Sequence, residues 1–128
     1  VNTSSFSGIH GHGNQSAYGS SKFALVGMSE FLRNDLKDTN VSVSVLCPHV
    51  VDTNIISKLK ARVSADVLKM INQMAVDPIT VGDQVLKAII EKEFYIFCDG
   101  VHTREMLKAR CDAMLSAMDR QFPEEKND

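Results

Sequence analysis

The segment Val41-Ser-Val-Ser-Val-Leu-Cys47, which Pro48 follows at once, decides the fold. It is short and rich in β-branched residues, which predicts a strand, and the proline predicts where that strand ends. Further strands are predicted at residues 1–4 and 94–98, and apolar residues recur at helical spacing around them. The predicted helices span residues 17–38, part of 48–62, 65–75, 81–91 with Thr80 as N-cap, and 103–120.

Strands that alternate with helices predict an α/β fold, a parallel sheet with helices on its faces. Three strands with flanking helices make an incomplete layer, because both faces of a parallel sheet need cover. The chain also begins with Val1 rather than Met and enters strand-like sequence at once. We therefore expect part of a larger fold. The residues expected to point inward include Leu25, Met28, Phe31, Leu32 and Leu36 on the first helix, and Val85, Leu86, Ile89 and Ile90 on the fourth.

The composition is that of a globular domain and argues against several classes of protein. The chain has 128 residues, 44% hydrophobic and 23% charged, with a net charge of −2. Such a charge favours no nucleic-acid partner, and no apolar run reaches the roughly 20 residues that would span a membrane. The three cysteines, Cys47, Cys98 and Cys111, are too widely spaced for a disulfide framework or zinc site, which predicts a reducing, cytoplasmic compartment. His10 and His12 in a loop are more typical of exposed polar residues than of a metal site.

The residues that point to chemistry are Ser5, Tyr18 and Lys22. Tyr18 and Lys22 are four apart at the start of a helix, so they share one face, and the glycine-rich loop at 5–16 can bring Ser5 to that face. An ammonium close to a phenol stabilises the phenolate, which can then exchange a proton with the oxygen of an alcohol or ketone. A serine hydroxyl can orient the same oxygen.

Four motifs in sequence order resemble those of the short-chain dehydrogenase/reductase family. Asn2-Thr-Ser-Ser-Phe-Ser-Gly8 resembles its N-x-S-S-x-x-G strand end, and Tyr18-Gly-Ser-Ser-Lys22 resembles its Y-x-x-S-K motif. Phe23-Ala-Leu-Val-Gly27 resembles the small-residue helix that follows, and Cys47-Pro-His-Val-Val-Asp-Thr53 resembles the P-G-x-V-x-T turn. The resemblance covers residues 1–98.

The resemblance implies the C-terminal part of a doubly wound, Rossmann-type sheet whose N-terminal half is absent. Residues 1–122 would be the catalytic half of the domain, residues 54–78 a substrate lid and residues 123–128 a loose polar tail. It also implies an oxidoreductase that uses NAD or NADP to interconvert an alcohol and a ketone or aldehyde on a small-molecule substrate. The helix at 17–38 would pack against a second copy in a homo-oligomer.

The resemblance also assigns roles to single residues. Tyr18 would be the acid/base, Lys22 would support it and bind the nicotinamide ribose, and Ser5 would polarise the carbonyl. The cofactor-binding residues would be Tyr18, Lys22, Pro48, Val51 and Thr53, with the Val51 backbone and the Thr53 hydroxyl meeting the carboxamide.

The sequence departs from the family pattern at His49 and in the missing glycine-rich fingerprint. His49 replaces the usual Gly of the P-G turn, so its side chain crowds the nicotinamide edge or points into the substrate pocket. Gly11-His-Gly13 is not the fingerprint, because Ser16 stands where its third Gly would be. We therefore expect the chain alone to be inactive. The alternative is a non-catalytic remnant or interaction module that retains this half of the fold; a serine hydrolase would need a G-x-S-x-G elbow, which the sequence lacks.

Overall fold

The computed structural model describes residues 1–123, so that of the predicted tail only Pro123 lies within it and residues 124–128 lie outside the described residues. Within this range, a three-stranded parallel sheet in the order β1-β2-β3 is flanked by five helices. The elements are β1 Asn2–Thr3, α1 Ser16–Asp35, β2 Val45–Cys47, α2 Asn54–Lys60, α3 Ala65–Met74, α4 Pro78–Glu91, β3 Tyr95–Phe97 and α5 Val101–Gln121, with a single 3-10 turn at Phe6–Gly8 after β1. The predicted fold class is confirmed.

The strands are shorter than the sequence predicts, above all β2. Its pairing with β1 begins where Asn2 meets Val45, and its pairing with β3 begins where Val45 meets Tyr95. The prediction of a strand over residues 41–47 is wrong for 41–44, because neither neighbouring strand extends far enough to pair with them. The sheet therefore consists of three short strands that pair side by side around Val45 and Leu46, and their carboxyl ends lie at one edge.

Helix α4 begins three residues earlier than predicted. Asp77 is its N-cap, and its Oδ2 accepts hydrogen bonds from the amides of Ile79 at 2.9 Å and Thr80 at 3.1 Å. Pro78 occupies the first helical position, where its missing N–H costs nothing and its fixed φ suits the helix. The prediction of Thr80 as N-cap is thus wrong, since an aspartate followed by proline starts this helix rather than separating it from the previous one.

A small apolar core lies between the sheet and the helices on its faces. It consists of Phe6, Ile9, Val26, Val45, Cys47 and Phe94. Helix residues expected to point inward remain on the surface instead, among them Phe31, which is 75% exposed, and Ile90, which is 72% exposed. The other exposed residues of those two predicted faces are Met28, Leu32, Leu86 and Ile89, and Leu36 is partly exposed. A sheet of three short strands is too narrow to cover the apolar faces of α1 and α4.

None of the helices within residues 1–123 has the length and apolarity needed to cross a membrane.

Candidate active site

Ser5 lies at the carboxyl end of β1, where the chain leaves the sheet. It is the N-cap of the 3-10 turn, and its Oγ accepts a hydrogen bond from the amide of Ser7 at 3.2 Å. The amide of Phe6 donates to the carbonyl of Pro48 at 2.7 Å, which ties this turn to the one that follows β2. The half-buried Ser5 hydroxyl is therefore held at the edge of the sheet by backbone on both sides.

Tyr18 and Lys22 lie one turn apart near the start of α1, as their spacing predicts. The Lys22 Nζ stands 5.7 Å from the centroid of the Tyr18 ring, within the range of a cation–π contact. It also donates to the carbonyl of Thr3 in β1 at 3.3 Å. The Tyr18 side chain is about half exposed, and among the described residues its hydroxyl has no hydrogen-bond partner. A phenol beside an ammonium is thus presented to solvent.

Two buried serines join β1 to α1 behind these groups. The Ser4 Oγ donates to the main-chain carbonyl of Lys22 at 2.9 Å, and the Asn2 Nδ2 donates to the Ser29 Oγ at 3.0 Å. Gly8 lies so close to the helix that a Cβ there would stand 2.7 Å from the Lys22 carbonyl oxygen. Sequence reasoning assigned no task to Asn2, Ser4 or Gly8, although all three lie within the N-x-S-S-x-x-G motif.

The turn after β2 carries the predicted residues Pro48, Val51 and Thr53. Val51 pairs with Val76 in a parallel bridge, in which the main-chain groups of the residues on either side of Val51 make the hydrogen bonds. The amide and carbonyl of Val51 itself therefore face away from Val76, and neither has a hydrogen-bond partner in the described part of the chain. Thr53 is the N-cap of α2, yet its side chain makes no capping hydrogen bond, and its hydroxyl has no hydrogen-bond partner within residues 1–123.

These elements surround one open cavity of about 920 Å³. Of the six predicted site residues, five line it, namely Ser5, Tyr18, Pro48, Val51 and Thr53. Lys22 does not line the cavity; its side chain lies behind, against the Tyr18 ring and β1. Free hydroxyl and main-chain groups beside apolar contacts at Pro48 and Val51 are what a nicotinamide ring and its carboxamide need, so the residues present fit that group.

Sequence reasoning gave no site role to the loop residues of the cavity wall, whereas Ile55 and Ile56 lie within the predicted lid. His12, Asn14 and Gln15 come from the glycine-rich loop, and Ile55 and Ile56 come from α2. The His12 Nε2 lies 3.2 Å from the Gln15 Oε1, which ties the loop to the start of α1. Their position between the two strongest motifs is the signal that would have identified the loop residues.

The cysteines at the ends of β2 and β3, Cys47 and Cys98, are too buried to act as nucleophiles. Burial raises the pKa of the Cys47 thiol to about 11, and the neighbouring Cys98 adds to that shift. Burial likewise raises the pKa of Cys98 to about 11, with a contribution from Asp99. Both thiols therefore stay protonated near neutral pH. Within residues 1–123, no three metal-binding side chains are grouped as a cation would require.

Comparison with known proteins agrees with this geometry. Residues 1–64 match the family described as short chain dehydrogenase. The chain is 34% identical over 67 residues to the 3-oxoacyl-[acyl-carrier-protein] reductase MabA of Mycobacterium avium, which is 52% of this chain and 26% of that protein. It is 34% identical over 97 residues to the 1-deoxy-11-beta-hydroxypentalenate dehydrogenase of Streptomyces exfoliatus, which is 76% of this chain and 34% of that protein.

A solved structure shows the same fold. The short chain dehydrogenase/reductase of Burkholderia phymatum, solved in complex with NAD, superposes with a TM-score of 0.63 at 24% identity, covering 100% of this chain and 50% of that one. The chain thus spans between about a quarter and a third of the length of these curated relatives. Because the matched residues 1–64 include β1, the Tyr18–Lys22 helix and the turn after β2, the chain belongs to the short-chain dehydrogenase family.

Proposed function

We propose that the protein carrying this chain is an oxidoreductase that uses NAD or NADP to interconvert an alcohol and a ketone or aldehyde. The observation that carries the proposal is the cavity on which Ser5, Tyr18 and the turn after β2 converge, with the Lys22 ammonium behind the Tyr18 ring. Family membership supports the class of reaction, and the NAD-bound structure of the B. phymatum protein supports the class of cofactor.

In this proposal the chain's own residues handle the proton. The bound nicotinamide supplies or accepts the hydride at the substrate carbon. The Tyr18 hydroxyl gives a proton to the substrate oxygen during reduction and takes it back during oxidation, which balances the hydride. The Lys22 charge favours the phenolate that this exchange passes through, and the Ser5 hydroxyl donates a hydrogen bond to the same oxygen.

The turn after β2 would hold the nicotinamide end of the cofactor. The Val51 main chain and the Thr53 hydroxyl have the free donors and acceptors that a carboxamide requires, and Pro48 offers an apolar contact. Lys22 would in addition bind the ribose. The sequence contains no glycine-rich fingerprint for the pyrophosphate, so tight cofactor binding and turnover are proposed for the whole protein and not for this chain alone.

The surroundings of the cavity suggest further parts of the same proposal. Residues 54–78 would form a lid over a small-molecule substrate, since Ile55 and Ile56 already line the opening. The helix at 17–38 would pack against a second copy, which the exposure of Phe31 supports. The free thiols suit a reducing compartment such as the cytoplasm.

Replacing Tyr18 by phenylalanine tests the proposal. The full-length protein is assayed with NADH and NADPH on a panel of three carbonyl compounds: a 3-oxoacyl thioester, a cyclic ketone and an aldehyde. Tyr18→Phe should lower turnover by a factor of about 10² to 10⁴, because it removes only the acid/base hydroxyl. The chain's other tyrosine, Tyr95, donates to Glu30 in α1 and does not line the cavity, so it provides the control.

Tyr95→Phe should retain turnover, and both variants should keep the circular dichroism spectrum of the parent. Equal activity of Tyr18→Phe and the parent would contradict the assigned role of the phenol. Absence of turnover from the parent on every compound, with either cofactor, would favour the non-catalytic module.

A further inference from the structure

His49 is the side chain that the family turn does not have, and the structure shows where it goes. Its ring packs against Phe6 with centroids 4.4 Å apart and stacks on His102 with centroids 5.4 Å apart and planes within 10°. The side chain is 19% exposed, and that exposed part lines the cavity beside Pro48. The imidazole is therefore fixed between two rings with one edge at the site.

Asp99 lies at the buried edge of this ring. It follows β3 as His49 follows β2, so the two residues lie at the carboxyl ends of neighbouring parallel strands. The Asp99 Oδ1 accepts from the amides of Val101 at 3.2 Å and His102 at 3.3 Å at the start of α5, which fixes the carboxylate. Its Oδ2 stands 3.8 Å from the His49 Nδ1, and each of these two buried atoms has no hydrogen-bond partner among the described residues.

This pairing selects one form of the imidazole. A proton on Nδ1 points at a carboxylate, whereas a lone pair on Nδ1 would be repelled by it, so the tautomer with the proton on Nδ1 is favoured. Burial, followed by the neighbouring His102 and more weakly by His12, lowers the pKa of His49, and Asp99 opposes that shift only in part. The ring is thus neutral near pH 7, and its Nε2 carries a lone pair.

We propose that His49 determines substrate specificity by accepting, at Nε2, a hydrogen bond from a hydroxyl or amide N–H next to the reacting carbonyl, with Asp99 as its positioning residue. The inference rests on the proposed function. The Val51 main chain and the Thr53 hydroxyl already meet the needs of the carboxamide, so an additional acceptor on this wall is left for the substrate. Substrates with an α-hydroxyl group are the class that fits.

The test compares two ketones in the full-length protein: the ketone of the carbonyl panel that is reduced fastest, and its α-hydroxylated derivative. The parent should prefer the hydroxylated ketone about tenfold in kcat/KM, as expected for one hydrogen bond. His49→Phe keeps a ring against Phe6 and His102 but has no acceptor, and should bring the two ketones within about twofold. The KM for the cofactor should not change. His102→Phe is the matched control and should keep the preference.

A nitrogen NMR spectrum of the histidine-labelled full-length protein tests the tautomer without any turnover. The parent should show His49 with its proton on Nδ1, and Asp99→Asn should shift the population toward the Nε2 proton and reduce the preference in kcat/KM. An Nε2 proton in the parent, or an unchanged preference in His49→Phe, would overturn the inference while leaving the proposed function in place. Loss of all turnover in the parent would instead count against the proposed function.

Discussion

Two regions border the cavity but are attached to the sheet in different ways. The first is the unit formed by β1, the 3-10 turn and α1, and the second is the segment at residues 54–78. In the first, Ser4 and Ser29 are buried and join strand to helix through hydrogen bonds of 2.9 and 3.0 Å. In the second, Ile71 is the one buried residue of α3, and α2 has none. The segment is fastened by the bridge at Val76 and by an ion pair of 3.0 Å between Lys60 and Asp52.

This difference in attachment matches the positional accuracy that each wall of the candidate site needs. In the proposed function, Ser5, Tyr18 and Lys22 act together only if strand and helix keep a fixed separation. Buried hydrogen bonds and a glycine specify that separation. In the proposed function, the segment at 54–78 only needs to shelter the substrate. Its weak attachment predicts local opening with little effect on the sheet.

The largest effect is expected from Gly8→Ala, which breaks the strand–helix unit. The new Cβ would meet the Lys22 carbonyl oxygen at 2.7 Å and would also collide with the Ser4 Oγ, and neither backbone nor a buried hydroxyl can move aside cheaply. We expect a loss of about 1–3 kcal/mol in the free energy of unfolding, measured by urea denaturation.

Gly27→Ala is the matched control, because a Cβ at that position would meet no atom of residues 1–123 within 4 Å apart from the neighbouring backbone of α1 itself. It should gain up to about 1 kcal/mol from the better helix propensity of alanine. Equal stabilities for the two variants would show that the close approach at Gly8 is not needed.

A smaller, local effect is expected from Ile71→Ala, which loosens the other region. Ile71 is 5% exposed, and removing a buried isoleucine side chain costs about 2–5 kcal/mol where the site stays folded. Because so little else holds α3, we expect its amides to lose protection in hydrogen exchange while the global free energy of unfolding changes by less than about 1 kcal/mol. Met70→Ala, at an exposed position of α3, should change neither. An equal loss of protection in β2 would show that the two regions unfold together.

The smallest effect is expected at His49, between the two regions. Its pKa is lowered below the ordinary 6.5 by burial and by His102, with Asp99 and His12 as the other charged or titratable groups nearby. Below about pH 6.5 the unfolded chain binds more protons than the folded one, so stability should fall as the pH drops through that value. The slope from this one group is at most about 1.4 kcal/mol per pH unit. Urea denaturation between about pH 7.5 and pH 5.5 should show it in the parent and a shallower dependence in His49→Phe.

Local patterns predicted the fold class and the grouping of Ser5 with Tyr18, and the family resemblance added the turn after β2. Each depends on residues close in sequence, or on the rule that parallel strands end at one edge. The buried hydrogen bond from Ser4 to the Lys22 carbonyl could not be predicted from the sequence, because it depends on how closely a strand and a helix approach. The contact between His49 and Asp99 could have been predicted, since each residue lies two positions after the end of one of two neighbouring parallel strands.

The exposed faces of α1 and α4 were mispredicted for a different reason. Helical periodicity identifies an apolar face but does not say what covers it. Phe31 and Ile90 satisfy the periodicity and remain in solvent, because the sheet beneath them is only three strands wide. The width of a sheet depends on tertiary structure, which the pattern of a single helix does not contain.

The bridge between Val51 and Val76 has a consequence for how relatives of this protein can diverge. The Asp52 amide donates to the Val76 carbonyl, and the Val76 amide donates to the Val50 carbonyl, each at 2.9 Å, so the chain departs and returns at adjacent points. The entropy cost of closing a loop grows only with the logarithm of its length. Insertions, deletions or a grafted segment between Thr53 and Ala75 would therefore leave the turn from Pro48 to Val51 undisturbed. If the proposed function holds, new substrates can be acquired in this way without rebuilding the chemistry.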